Sequence, residues 1–377
     1  MIPLVDLTAQ YHSIRDEIDA AIRETIESGQ FILGPTVTSL EQGIAAYLGV
    51  KYAVGVASGT DALILALRAL DIGAGDEVLV PAYTFFATAG AVLSVGARPV
   101  FVDVNPKDYA IDPELIKARI TAHTKAIIPV HLYGQPADMG RILQIAHEHG
   151  LKVIEDNAQA IGAETLGQRT GALGDIGCLS FFPTKNLGAY GDGGMLTTSN
   201  AQIDERVRRL RSHGWKKKYY PEELGYNSRL DALQAAVLKA KLPHLDRWNQ
   251  RRRELAECYN RELASLDVTL PAESEGRKHV YYNYIVRATD RDMLQAFLRQ
   301  KGIASEVYFP LPPHLTAPCR ALGYKEGDFP EAERASRETL ALPIYPELTD
   351  AQQAEVIDAV REFTLAQARG EKAHGSG

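Results

Sequence analysis

Two residues with complementary chemistry stand at the ends of two apolar runs. Asp156 closes the run KVIED at 152–156, and Lys185 follows CLSFF after Pro183 and Thr184. Both runs read as buried strands. As neighbours in one sheet they would bring an acid and a lysine to a common cleft beyond their carboxyl ends. Such a pair fits two chemistries: a plain ion pair, or the two ends of pyridoxal phosphate, with the lysine on the aldehyde and the acid against the pyridinium nitrogen. The second needs an anion site nearby. One is offered at Ser58-Gly59-Thr60-Asp61, between the short strand 52–57 and the helical run ALILALRAL. A turn of this kind exposes backbone N–H groups at a helix N-terminus, and Thr60 adds a hydroxyl. Its plainer reading is a helix cap.

The elements that must position these groups alternate. Strands are expected at 77–81, 99–104, 125–132 and 152–156, with helices at 86–94, 113–120 and 138–149 between them. This spacing calls for right-handed crossovers and a largely parallel sheet covered on both faces, an α/β architecture. At the carboxyl ends of its strands lie Ser58 to Thr60, Tyr83 to Phe86, His131 to Gly134, and Asp156. Phe85 is either plain core or a face for a planar ring. No GxGxxG follows a strand, because Gly191 to Gly194 follows a loop and precedes MLTTS, which sets a nicotinamide enzyme aside.

Ahead of this unit, Ile14, Ile18, Ile22 and Ile26 form one stripe of a helix over 14–28 stopped by Gly29, and a second helix covers 38–48. After it, Leu245, Trp248, Leu255, Tyr259 and Leu263 mark the buried side of a long helix linking two domains. Strands at 281–288 and 305–309 and helices at 290–300, 331–339 and 350–365 follow. The expected division is a large cofactor domain over 1–245, a smaller α/β domain over 246–368, and a disordered tail over 369–377.

With 377 residues and a net charge of −7 spread along the chain, neither a basic nucleic-acid footprint nor a membrane span is expected. Cys178, Cys258 and Cys319 form no CxxC pair, so no disulfide framework or metal knuckle is indicated, and the N-terminus turns polar too early for a signal peptide. A cytoplasmic protein is the expectation.

The ordered set SGTDAL, GDEVLVPAYTFFAT, TKAIIPVHLYGQPADM, Asp156 with Gln159, SFFPTKNLGAYGDGG and GYNSRLDALQAAVL resembles the DegT/DnrJ/EryC1/StrS sugar aminotransferases, which are fold-type I pyridoxal phosphate enzymes. The similarity runs from FILGP to ALPIYPELT. It implies that Lys185 attaches the cofactor and later moves a proton between cofactor and sugar, while Asp156 keeps the ring nitrogen protonated. Gln159 would bond near the phenolic oxygen, Phe85 would stack on the ring, and Gly59, Thr60 and Ser180 would bind the phosphate. Asn227 is similar to an asparagine that reaches the phosphate from a neighbouring subunit, so a homodimer with shared sites is implied. Family dehydratases carry histidine in place of the lysine; Lys185 argues against that reaction.

On the substrate side the candidates are Tyr190 and Arg229, whose guanidinium fork matches the oxygen pairs of a sugar, carboxylate or phosphate, and the resemblance adds Tyr308 and His314. Arg229 has a plainer reading as a partner of Asp231, and His314 as a core histidine. Where many relatives have His-Tyr-Pro, this chain has Tyr308-Phe309-Pro310, which removes two polar partners and disfavours a uronic acid. The basic run Lys216-Lys217-Lys218-Tyr219-Tyr220 is either a solvated face or an attraction for a diphosphate. The activity implied is transfer of an amino group from L-glutamate to a 3-keto nucleotide-linked (dTDP or UDP) deoxy or acetamido hexose; a 4-keto sugar and a non-catalytic regulatory protein are the alternatives.

Overall fold

A computed structural model describes residues 1–374, with side chains as far as residue 367. The apolar runs of the first half become the strands of one sheet: β1 Tyr52–Val56, β2 Glu77–Pro81, β3 Arg98–Val102, β4 Thr124–Ile127 and β5 Lys152–Asp156. A small hairpin, β6 Glu164–Thr165 and β7 Gln168–Arg169, precedes β8 Ile176–Ser180 and β9 Gly194–Thr198. The seven long strands lie in the order β1-β9-β8-β5-β4-β2-β3. The crossovers from β2 to β5 give parallel pairs, and β8 is parallel to β5. Only β9 runs against its neighbours, because a loop and no helix joins it to β8. Both faces are covered: the strands are buried along nearly their whole length, as sheets with helices on either side require.

The helices up to β9 are α1 Leu7–Ser13, α2 Arg15–Ser28, α3 Pro35–Leu48, α4 Gly59–Ala69, α5 Ala87–Ser94, α6 Pro113–Ile116 and α7 Met139–His149. Gly29 ends α2 in a left-handed conformation, as its position suggested. The isoleucine stripe is buried at Ile14 and Ile18, but Ile26 is exposed at the helix end. The helix expected at 113–120 is a four-residue α6 followed by a 3-10 turn, and the strand expected at 125–132 ends at Ile127. Beyond Ile127 the chain carries Pro129, which cannot donate to a ladder, and the 3-10 turn at Leu132–Gly134 begins soon after.

Past β9 come α8 Ala201–Leu210, the hairpin β10 Trp215–Lys217 with β11 Tyr220–Pro221, α9 Ala232–Lys241 and α10 Leu245–Leu263. All five residues expected on the inner side of α10 are buried. Leu245 belongs to the core beneath the sheet, whereas Leu255, Tyr259 and Leu263 belong to a second core, so α10 spans the two. That second core is built on β13 Tyr284–Arg287 and β14 Thr339–Leu342, an antiparallel pair backed by α11 Arg291–Gln300 and α13 Asp350–His374. Ile2 packs into it as well, through a bridge to Ile303.

The strand expected at 305–309 does not form. Only Glu306 bridges to Ala341; the partner of β13 is β14, which directly follows α12 Pro330–Glu338. β12, Arg277–Lys278, pairs with β6 and ties the approach to the second core onto the hairpin β6–β7 beside the main sheet. The tail expected over 369–377 falls outside the described residues for all its side chains and, at 375–377, altogether.

Candidate active site

The carboxyl ends of β1, β5 and β8 and the start of β9 meet at one end of the sheet. A cavity of about 460 Å³ opens there. Gly59, Thr60, Phe85, Asp156, Gln159, Ser180, Lys185 and Tyr308 all line it, so eight residues selected from separate stretches of sequence converge.

Asp156 is 6 % exposed. The Thr88 hydroxyl donates to its Oδ2 at 2.8 Å, and the Ala158 N–H donates to Oδ1 at 3.2 Å. Thr84 lies 3.0 Å from Thr88, and since the single Thr88 proton is committed to the carboxylate, Thr84 is the donor of that pair. Burial raises the Asp156 pKa; the Thr88 and Ala158 donors and the positive charge of Lys185 oppose that rise. No ion pair joins Asp156 to Lys185 among the described residues. The Lys185 amine instead sits 4.3 Å from the centroid of the Tyr282 ring, a cation-π contact. The acid and the amine face the same cavity without touching, which excludes the simple ion pair and leaves room for a group between them.

The anion end is built by close approach. Ser58 caps α4, its Oγ accepting from the Asp61 N–H at 3.1 Å. The first-turn amides of Gly59 and Thr60 have no intrahelical acceptor and are available to a phosphate. A Cβ on Gly59 would stand 2.7 Å from Ser180 Cβ, so only glycine lets these two strand ends close around one ligand group. Gly194 is under the same constraint: its Cβ would stand 2.2 Å from the Ser58 carbonyl oxygen.

Gln159 Oε1 accepts the Tyr133 N–H at 2.6 Å, which leaves the amide nitrogen to donate to an anionic oxygen in the cavity. Phe85 is 56 % exposed, its ring 5.6 Å from Phe309. It is therefore a wall of the cavity and no part of the core.

Four residues expected at the site do not line this cavity. His314 is 0 % exposed, 3.3 Å from Glu333, and packed edge-on against Phe101 and Phe329. Burial lowers its pKa; it is a core histidine. Tyr190 lies behind the Lys185 loop, against Lys241 and Tyr11. Asn227 is exposed and bridges Ser212, while its neighbour Ser228 donates to Asp61 at 2.6 Å and holds this loop to the α4 turn. Arg229 makes no ion pair among the described residues, with Asp231 or any other carboxylate. His131 also turns away, held 2.9 Å from the buried Glu155.

Sequence reasoning placed Thr84 among the residues at the strand ends but missed Thr88 and Tyr282. Thr88 is the second residue of α5, four positions after Thr84 in the turn that leads into the helix, and this pair of threonines at the helix entry was available as a signal. Tyr282 comes from the segment before β13, and nothing local ties it to Lys185.

A deep cleft with a lysine, a buried acid opposite, a glycine-closed anion turn and an aromatic wall defines a pyridoxal-phosphate-dependent aminotransferase. The DegT/DnrJ/EryC1/StrS aminotransferase family matches residues 12–361, and the chain belongs to it. A protein of Geobacillus stearothermophilus named a pleiotropic regulatory protein is 52 % identical over 96 % of this chain and 98 % of its own length. The UDP-N-acetyl-3-dehydro-alpha-D-glucosamine 3-aminotransferase of Acidithiobacillus ferrooxidans is 49 % identical over 96 % of this chain and 97 % of its own. Among solved structures, S. venezuelae DesV in complex with a ketimine intermediate superposes with a TM-score of 0.95 at 45 % identity, covering 96 % of this chain and 98 % of that one. No helix among the described residues is long and apolar enough to cross a membrane.

Proposed function

We propose that this aminotransferase moves an amino group from L-glutamate onto C3 of a nucleotide-linked keto hexose of the deoxy or acetamido type, working as a cytoplasmic homodimer with shared active sites. The observation that carries the reading is the placement of Lys185 and Asp156 on one cavity with no contact between them. The name of the 49 % identical Acidithiobacillus relative supports a 3-keto substrate.

The residues fit the cofactor. Its phosphate would lie on the Gly59 and Thr60 amides beside Ser180, its ring against Phe85, and its nitrogen at Asp156. When bound, it serves as the electron sink that lets a proton leave the carbon bearing nitrogen. Asp156, fixed by Thr88 and Ala158, would keep a proton on the ring nitrogen. The amide of Gln159, its oxygen held by Tyr133, would donate to the oxygen substituent of the ring. The Lys185 amine would take the proton from one carbon and return it to another, and the Tyr282 ring, 4.3 Å away, orients it toward the cavity. Phe309 presents an apolar edge where a charged sugar would need a donor, which favours a neutral ring. The exposed Asn227 and the hairpin carrying Lys216, Lys217 and Lys218 do not reach the cavity of their own chain. In a dimer they are free to serve the partner's site, where the lysines would favour a diphosphate.

A second reading, a regulatory protein that catalyses nothing, is raised by the name of the 52 % identical relative. The intact set of Lys185, Asp156, Gln159 and Ser180 weighs against it. The test is to offer nucleotide-linked 3-keto and 4-keto hexoses with L-glutamate and identify products by mass and NMR. An amino sugar substituted at C3 is expected; conversion of 4-keto substrates alone would overturn the regiochemistry. Mixing Lys185→Ala and Asn227→Ala chains should restore about a quarter of the wild-type activity if sites are shared and dimers form at random, and restoring none would remove the shared-site dimer.

A further inference from the structure

Helix α9 touches the loop after Lys185 at two points. Gln234 and Lys241 lie seven residues apart, two turns along one face. Gln234 Oε1 accepts the Tyr190 N–H at 2.8 Å, and Lys241 Nζ donates to the Gly188 carbonyl at 2.8 Å. Gly188 is the closing point of a tight turn. A Cβ there would stand 2.2 Å from the Pro183 carbonyl oxygen. Inside that turn the Lys185 N–H donates to Phe182 at 2.9 Å, and just past it the Ala189 N–H donates to Phe181 at 2.8 Å. On the opposite side Asn186 donates to Asn249 at 2.7 Å. The backbone that carries Lys185 is thus gripped from two helices.

Lys241 is a strange residue for this place on packing grounds alone. It is 0 % exposed and has no carboxylate within ion-pair distance among the described residues; its other neighbour is the Tyr190 ring, 4.2 Å away. Burial brings its pKa down to about 8, with only the more distant Glu347 acting against the fall. A buried cation without an anion is costly, and an apolar side chain of the same length would fill the volume as well or better. What an apolar side chain cannot do is hold the Gly188 carbonyl.

We propose that Lys241 is a positioning residue for amine transfer: by holding the Gly188 carbonyl it fixes the turn from which Lys185 reaches the cavity between Tyr282 and Asp156. Tyr190, which packs on Lys241 behind the loop, belongs to the same support. This rests on the aminotransferase reading but not on any particular sugar or donor.

The test uses the enzyme loaded with pyridoxal phosphate, as wild type, Lys241→Met and Lys241→Gln. Two readouts need no substrate: the pH midpoint of the spectral change of the lysine-linked cofactor, and the melting temperature. The third is the single-turnover rate measured across amino-donor concentrations up to saturation, which separates the maximal rate from KM. The Met variant should melt at or above the wild-type temperature. Its midpoint should move by about half a pH unit or more, and its rate should fall about tenfold with KM unchanged, because a lysine displaced by a fraction of an ångström loses alignment and not binding. The Gln variant, which keeps a shorter donor, should fall between. A folded variant of either kind with the wild-type midpoint and rate would overturn the proposal. Absence of any cofactor band in the wild type would instead defeat the aminotransferase reading itself.

Discussion

Replacing Thr88 by Val tests the acid end of the site with almost no change of shape. Thr88 is fully buried and donates to Asp156 at 2.8 Å. The variant removes that donor and leaves the Thr84 hydroxyl without its partner. A hydrogen bond to a charged group contributes about 1.5–3 kcal/mol. Since this bond also exists before the cofactor arrives, the part lost on binding is its strengthening against the ionised, cofactor-paired acid, and the affinity of the apo-protein for pyridoxal phosphate should fall by roughly 3- to at most 150-fold. The pH dependence is the sharper signature. Asp156 must be ionised to hold a protonated ring nitrogen, and burial has already raised its pKa. Loss of Thr88 raises it further, so binding should weaken more at pH 6 than at pH 8. Stability of the apo-protein should move the opposite way. A folded-state pKa above the unfolded value contributes stability that is fully present below the unfolded pKa and is lost as pH rises through the folded one. The variant should therefore lose stability chiefly at neutral and alkaline pH and converge with wild type in acid. Absorbance titrations with cofactor at the two pH values, and urea midpoints of the apo-protein, measure both. Affinity within twofold of wild type at both pH values, or a loss independent of pH, would refute the role given to Thr88.

Lys185→Ala should abolish the absorption band of the lysine-linked cofactor and all amine transfer; an unchanged band would remove Lys185 from its role. Gly59→Ala should lower cofactor affinity at least about tenfold, since the new methyl would stand 2.7 Å from Ser180 Cβ and push apart the two sides of the phosphate turn, and destabilise the fold by about 1–3 kcal/mol; a calorimetric titration decides it. His279 is fully buried, stacked 3.8 Å from the Tyr281 ring, with its pKa lowered to about 3, chiefly by burial. A folded-state pKa below the unfolded value means that stability is present above about 6.5 and lost as pH falls toward 3. His279→Phe should therefore flatten the decline of urea midpoints across that window, and an unchanged decline would assign the acid lability elsewhere.

The seven-stranded sheet was legible in the sequence because its signals are local. Val, Ile and Leu runs bounded by turn residues gave β1 to β5, and the convergence of Gly59, Asp156 and Lys185 followed from knowing that parallel strands present their carboxyl ends together, whereas Ser180 came from the family resemblance alone. The second core on β13 and β14 was harder for a physical reason. TLAL at 339–342 is a strand only because β13 waits beside it, and SEVYF has the stronger β composition yet turns toward the cavity, where Tyr308 and Phe309 form a wall. Long-range contacts account for the misses at the site as well. His314 was read toward the substrate and is buried against Phe101 and Phe329, while the segment that delivers Tyr282 to Lys185 lies about a hundred residues away. No spacing rule reaches that far.

The reversed strand β9 sets a ruler across the mouth of the site. Gly194 pairs with Val56 on one side and Ser180 on the other, so one row of the sheet ties the strand leading into the phosphate turn to the strand leading into the lysine loop. The separation between the two anchoring points of the ligand is thereby quantised by strand register and is indifferent to how the outer helices settle. Sequence drift on those helices can reshape the rim and the clientele of the enzyme while the span between anchors stays fixed. A one-residue slip of β9 would misplace both anchors at once, which makes the two residues beside Gly194 the least forgiving place in the chain for an insertion.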